Sequence, residues 1–91
     1  MVSTVILNGA MLRTRETAHP YLARMLDMPA YYGNNLDALY DCLTETGPRT
    51  VVLLGADSLR RAGGYGAKLL AVLEDAARDN PGLRLEMEGI T

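Results

Sequence analysis

The sequence predicts an α/β fold, a small three-stranded parallel sheet packed against three to four helices. Three observations lead there. Short apolar, partly β-branched runs lie near the start, the middle and the end of the chain. Between them, apolar residues recur at helical spacing. The resulting order, β-α-α-β-(α)-α-β, makes each connection long enough for a helical crossover, and crossovers of that length join parallel neighbours. The 91 residues, with no internal repeat, low-complexity tract or linker, are expected to form one domain spanning 1–91.

Taken in order, Val2–Leu7 reads as a strand stopped by the turn pair Asn8-Gly9. Ala18, Leu22, Met25 and Leu26 mark a helix that ends before Pro29. Pro20 is tolerable there only in the first turn, where a missing N–H costs little, so Thr17 is the expected N-cap, with Thr14 as the competing choice. Pro29 to Asn34 reads as a loop into a second helix, Asn35 to Thr46, closed by Gly47-Pro48. Thr50–Leu54 is a second strand, and Asp57 is a candidate cap for a short helix through Arg61. Gly63, Gly64 and Gly66 read as a flexible connection to a helix from Ala67 to Asp79, stopped by Asn80-Pro81-Gly82. In the last strand Leu83, Leu85 and Met87 alternate with Arg84, Glu86 and Glu88, which predicts one wet face.

Composition narrows the function. With 48% apolar and 22% charged residues the chain is globular rather than disordered. Nine basic against eleven acidic residues give net −2, the wrong balance for a protein that binds nucleic acid directly. Cys42 stands alone, so no intramolecular disulfide is expected. The N-terminus lacks a leader pattern and no apolar run is long enough to span a bilayer, so the expected location is cytoplasmic, without membrane contact.

The inventory for catalysis is poor. The one histidine, His19, precedes Pro20 at a helix start, and a solvent-facing or capping role is expected. Metal binding through nitrogen and sulfur fails on counts, because there is no His pair or Cys pair, and no cofactor is expected. Gly64-Tyr65-Gly66 lacks the third glycine and the preceding strand of a dinucleotide loop. Cys42 has no basic neighbour between Arg24 and Arg49 to depress its pKa, and reads as a small hydrophobe.

Charge is distributed unevenly. From Met25 to Pro48 there is no Lys or Arg, while Asp27, Asp37, Asp41 and Glu45 give a local charge of −4. On a helical wheel Leu36, Leu39 and Leu43 fall within ~60° of one another and form the core stripe. Asp37, Asp41 and Glu45, spaced i, i+4, i+8, lie ~100–180° from Leu36, with Tyr40 and Thr44 on the border. Like charges at this spacing destabilise a helix by a few tenths of a kcal/mol per pair, and only Asp37 is near enough to the N-terminus to gain from the helix dipole. Tyr31 and Tyr32 lie just before this helix, and semi-exposed tyrosines are common interface anchors. An acidic ridge bordered by aromatics suits a partner with a basic pocket.

The run Tyr31-Tyr32-Gly33-Asn34-Asn35-Leu36-Asp37-Ala38-Leu39-Tyr40-Asp41-Cys42-Leu43-Thr44 closely resembles the signature helix of the barstar family, intracellular inhibitors of secreted ribonucleases such as barnase. Weaker similarity covers the whole chain, in its length, the Asn8-Gly9 turn, Pro29 before the loop, and the order of elements. The resemblance implies a barstar-like fold and a non-catalytic inhibitor whose second helix and preceding loop enter a nuclease cleft, carboxylates standing where RNA phosphates would. Carried over by residue, it places Asp41 in the phosphate site, pairs Asp37 with an arginine on the guanine-binding side, and packs Tyr31 over the catalytic histidine. Asn35, Leu36 and Thr44 fill the contact. Asp75 in the last helix supplies a further acidic contact, with Glu74 as the fallback. The family's tryptophan beside the central acid is Tyr40 here, and its glycine after Thr44 is Glu45. Both lie at the contact edge and imply a target related to barnase but different from it. The family member's second cysteine is also absent. The implied partner is an extracellular guanyl-specific ribonuclease, barnase-like or a related microbial enzyme, bound 1:1 by a protein that is monomeric when free.

Two other classes compete. A barstar-like immunity or interaction protein for a different basic toxin or enzyme, not a ribonuclease, would carry the same charge and helix. An enzyme using Asp37 and Asp41 as acid/base pair or Mg²⁺ ligands lacks any further convergent ligand, nucleophile or positioned base.

Overall fold

Apolar alternation in three short runs builds the centre of the molecule. In the computed structural model, which describes residues 3–88, β1 (Ser3–Asn8), β2 (Arg49–Leu54) and β3 (Leu83–Glu88) form one parallel sheet in the order β1-β2-β3. Val2, expected in the first strand, lies outside the described residues, as do Met1 and residues 89–91. Register aligns Val5 with Val51 and Leu85, and Leu7 with Leu53 and Met87. Leu7, Val51, Leu53 and Leu83 are buried under the helices, whereas Thr4 and Ile6, on the alternate face of β1, are exposed. Burial fades along β3, so that Met87 is exposed despite its inward register.

The crossover from β1 to β2 contains a 3-10 turn (Gly9–Leu12), α1 (Arg15–Met25) and α2 (Leu36–Glu45). The Asn8 side chain caps the 3-10 turn by accepting from the Ala10 amide at 3.0 Å. A side chain at Gly9 would place its Cβ 2.6 Å from the Leu54 carbonyl oxygen, so this first turn can hug the end of β2 only without one. The crossover from β2 to β3 contains α3 (Ala56–Ala62) and α4 (Gly64–Asp79).

Three expectations about helix boundaries change. α1 is capped by Thr14, not Thr17, its hydroxyl accepting from the Thr17 amide at 3.3 Å. Pro20 therefore sits in the second turn, on the exposed side, where solvent can replace the hydrogen bond it lacks. α3 is entered through Gly55 in the left-handed conformation (φ 75°), and Asp57 lies in its first turn without capping it. The Gly63–Gly66 stretch is no linker. Gly63 and Gly64 take positive φ (70° and 61°) to reverse the chain, and Gly66 lies inside α4, where a Cβ would stand 2.4 Å from Leu59 Cδ1. The glycines allow α3 and α4 to pack closely.

Starting α1 at Thr14 also overturns the exposed reading of His19. It faces inward with Ala18 and Leu22 and is only 1% exposed. Its Nδ1 lies 2.6 Å from the Tyr32 hydroxyl and its Nε2 2.5 Å from the Tyr65 hydroxyl. A neutral imidazole offers one donor and one acceptor. Every proton is satisfied if the buried Tyr32 donates to Nδ1 while Nε2–H donates to Tyr65, which is only half-buried and can turn its own proton to water. Burial, and secondarily Arg15, lower the His19 pKa from 6.5. The folded state thus binds fewer protons than the unfolded chain between the folded pKa and 6.5. Chemical denaturation across a pH series is expected to show full stability from this source above pH 6.5, a decline as pH falls below it, and a plateau under the folded pKa; His19→Gln removes that slope.

Asn80, 9% exposed, closes the helical layer. Its amide donates to the carbonyls of Leu43 (2.8 Å) and Thr46 (3.2 Å) at the end of α2, and its Oδ1 accepts from the Gly82 amide (2.9 Å). One side chain thus satisfies the last turn of α2 and shapes the turn into β3. Asn80→Ala is expected to destabilise the fold by ~1–3 kcal/mol in urea unfolding, because it strands buried polar groups on both elements.

Candidate functional site

Helix α2 is seated by its leucines. Leu39 and Leu43 are buried against α4 and Leu36 is half-buried, as the wheel requires. Asn35 caps the helix, its Oδ1 accepting from the Ala38 amide at 2.7 Å while its Nδ2 donates to the Gly33 carbonyl at 3.1 Å. With the apolar stripe inside, Asp37, Asp41 and Glu45 project in a row from the exposed side. Among the described residues no lysine or arginine lies within ion-pair distance of these three carboxylates. The Thr44 hydroxyl is turned back on its own helix, donating to the carbonyls of Tyr40 (3.0 Å) and Asp41 (3.1 Å).

The loop before α2 is bracketed by two non-glycine residues in the left-handed region, Asp27 (φ 51°) and Asn34 (φ 53°). Asp27 ends α1, with the Met28 amide returning to the Ala23 carbonyl at 2.9 Å. Arg49 also reaches this helix end, donating to the Leu26 carbonyl at 2.9 Å. Within the loop, neighbouring tyrosines diverge. Tyr32 is buried, whereas Tyr31 is 86% exposed beside the acidic row. Tyr31, Cys42, Glu45 and Asp27 line a shallow cleft of about 220 Å³. Cys42 is half-buried, and burial, then Glu45 and Asp41, push its thiol pKa up, as its lack of basic neighbours implied.

A second acidic group comes from α4. Tyr40 donates its hydroxyl to Asp79, and Arg78 bridges Asp79 (3.3 Å) and Asp75 (3.4 Å). The Asp79 hydrogen bond raises the Tyr40 pKa most, and Asp75 adds to the rise, so Asp75 lies on the side of α4 that meets α2. Glu74 points elsewhere, paired with Arg60 of α3 at 3.0 Å. α2 thus carries Asp37, Asp41 and Glu45 on its exposed side, with Tyr31 by Glu45 on one flank and Tyr40 with Asp75 on the α4 flank, while Asn35 caps the helix, Leu36 is half-buried and Thr44 bonds back to it. Sequence reasoning missed Asp79. Its spacing of four residues from Asp75 was the available signal.

The carboxylate row is acceptor-rich, suited to a partner that offers cationic donors. Among the described residues no three His, Cys, Asp or Glu side chains gather to hold a metal ion, and no helix is long and apolar enough to cross a membrane.

The Tyr40 hydroxyl, and secondarily Arg78, hold the Asp79 carboxyl below its usual 3.8. Carboxyl-detected NMR titration is expected to place the Asp79 midpoint below 3.8 in the wild type, and Tyr40→Phe to move it upward while Asp75 keeps its Arg78 partner.

Comparison with known proteins supplies the family. Residues 2–88 match the family described as Barstar (barnase inhibitor). The chain is 38% identical over 78 residues to the Bacillus subtilis (strain 168) protein named "Putative ribonuclease inhibitor YrdF", an alignment covering 82% of this chain and 86% of that protein. With nearly its whole length matched, the chain belongs to the barstar family.

Proposed function

We propose that this protein inhibits a secreted guanyl-specific ribonuclease, protecting the producing cell from inside by blocking the enzyme's basic cleft in a 1:1 complex. One observation carries the proposal. A helix within the family match presents Asp37, Asp41 and Glu45 to solvent without any cationic partner among the described residues. A ribonuclease must hold an anionic backbone and stabilise charge developing at phosphorus, so its cleft is lined with cationic donors. Carboxylates on a rigid helix meet those donors as phosphates would, by charge-assisted and often bidentate bonds. The name of the Bacillus subtilis relative supports the same reading.

In this reading Asp41 occupies the phosphate site and Asp37 pairs with an arginine nearby. Tyr31 covers the catalytic histidine, Asn35, Leu36 and Thr44 complete the contact, and Asp75 reaches the rim. Tyr40 and Glu45 tune the fit to an enzyme other than barnase.

Titration of the protein into small secreted guanyl-specific ribonucleases, with RNA cleavage followed, is expected to remove activity at one equivalent. Asp41→Ala is expected to weaken inhibition by ~2–5 kcal/mol, or ~30-fold to ~4,000-fold, and Asp37→Ala by less. Both variants should keep or slightly gain folding stability, because each relieves repulsion along α2. Lack of inhibition across several such enzymes would move the assignment to a basic partner outside the ribonucleases. Unfolding of Asp41→Ala would make the acidic row structural.

A further inference from the structure

Three segments distant in sequence meet at one imidazole. α1 supplies His19, the loop before α2 supplies Tyr32, and the first turn of α4 supplies Tyr65. Both tyrosine rings also pack against the imidazole, at centroid distances of 5.6 and 5.7 Å. The loop has few other ties to the body. The Tyr32 amide donates within the loop to Pro29, and Arg15 reaches the Asn34 carbonyl only at 3.4 Å. Tyr31 and Tyr32 are consecutive, so whatever holds Tyr32 inward also sets the direction of Tyr31.

We infer that His19 and Tyr65 are positioning residues for target binding, holding Tyr32 inward and so keeping the loop that presents Tyr31 and leads to Asn35 in its binding shape. This rests on the reading of α2 and its loop as the ribonuclease-facing surface. Its first consequence, order of the loop in the free protein, needs no partner.

The chemistry of the chain gives it a pH dependence. The groups around the imidazole are Arg15 and Glu16 from α1, Tyr32 from the loop with Cys42 of α2 beside it, and Tyr65 from α4. No carboxylate among the described residues bonds to it. Protonated His19 has two donors and no acceptor, so Tyr32 can no longer donate to Nδ1. Nδ1–H would then donate to Tyr32 and leave the buried phenol proton without an acceptor, so acid weakens the limb to the loop.

The test combines hydrogen exchange at the amides of residues 31–34 in the free protein with dissociation rates from an inhibited guanyl-specific ribonuclease. Tyr65→Phe is expected to speed exchange in the loop about tenfold relative to β2, since opening is local. Dissociation should quicken about fivefold with association within about twofold, because the steering charges are untouched. His19→Gln, whose amide can accept from Tyr32 and donate to Tyr65, should keep exchange and dissociation as slow as in the wild type. It should also remove the acceleration of dissociation expected in the wild type as pH falls below 6.5. Unchanged loop exchange in Tyr65→Phe, or equal acceleration in β2, would overturn the inference, as would a loosened loop with unaltered dissociation. If the wild type binds no ribonuclease, the functional reading fails, while loop exchange still decides whether His19 and Tyr65 order the loop.

Discussion

The seating of α2 on α4 governs the rest of the molecule. Leu39 and Leu43 are buried together with Leu69, Leu70, Leu73 and Ala76 of α4, and that contact sets the rotation of α2 about its axis. Once the leucine stripe is inside, Asp37, Asp41 and Glu45 have nowhere to go but outward. Two polar ties fix the arrangement. Asn80 holds the end of α2 and Tyr40 reaches Asp79, so the helix can neither slide nor roll without breaking bonds at both places. Rigidity of this kind matters for recognition, because a preorganised carboxylate row loses little entropy on binding.

Local costs concentrate on the same surface. The carboxylates repel along α2, Asp27 and Asn34 occupy a backbone region that favours glycine, and Tyr31 leaves a large aromatic ring in water. Each is small, and the leucine core beneath outweighs them. They share one edge of the molecule, whereas Arg60–Glu74 and Arg84–Glu86 show ordinary charge pairing elsewhere. Uncompensated charge beside an exposed aromatic is expected where stability has been traded for contact with another molecule.

Much of this was legible in the residues. The leucine and carboxylate periods of 36–45 were enough to orient α2, and alternating apolar residues were enough to find the strands. The failures share a physical cause, dependence on partners far along the chain. Thr14 and Thr17 are equivalent caps locally, and only burial of His19 between Tyr32 and Tyr65 decides between them. Gly66 resembles a linker residue until Leu59 is brought against it. Asp75 and Glu74 are neighbours in sequence, yet helical rotation turns one toward Tyr40 and the other toward Arg60. Asp79 becomes meaningful only through a tyrosine on a different helix.

The strand order β1-β2-β3 advances without reversal. Open parallel sheets hold small ligands where strand order turns back on itself, and the described strands have no such switch point. The uncompensated carboxylates of α2 stand instead on an outer wall. Substitutions on such a wall rarely disturb the interior, changing stability by only ~0.5 kcal/mol or less. Exposed residues such as Tyr31 and Glu45 can thus be exchanged while the sheet and leucine layer stay as they are. The architecture thus separates the residues that hold the scaffold from those that face solvent along α2.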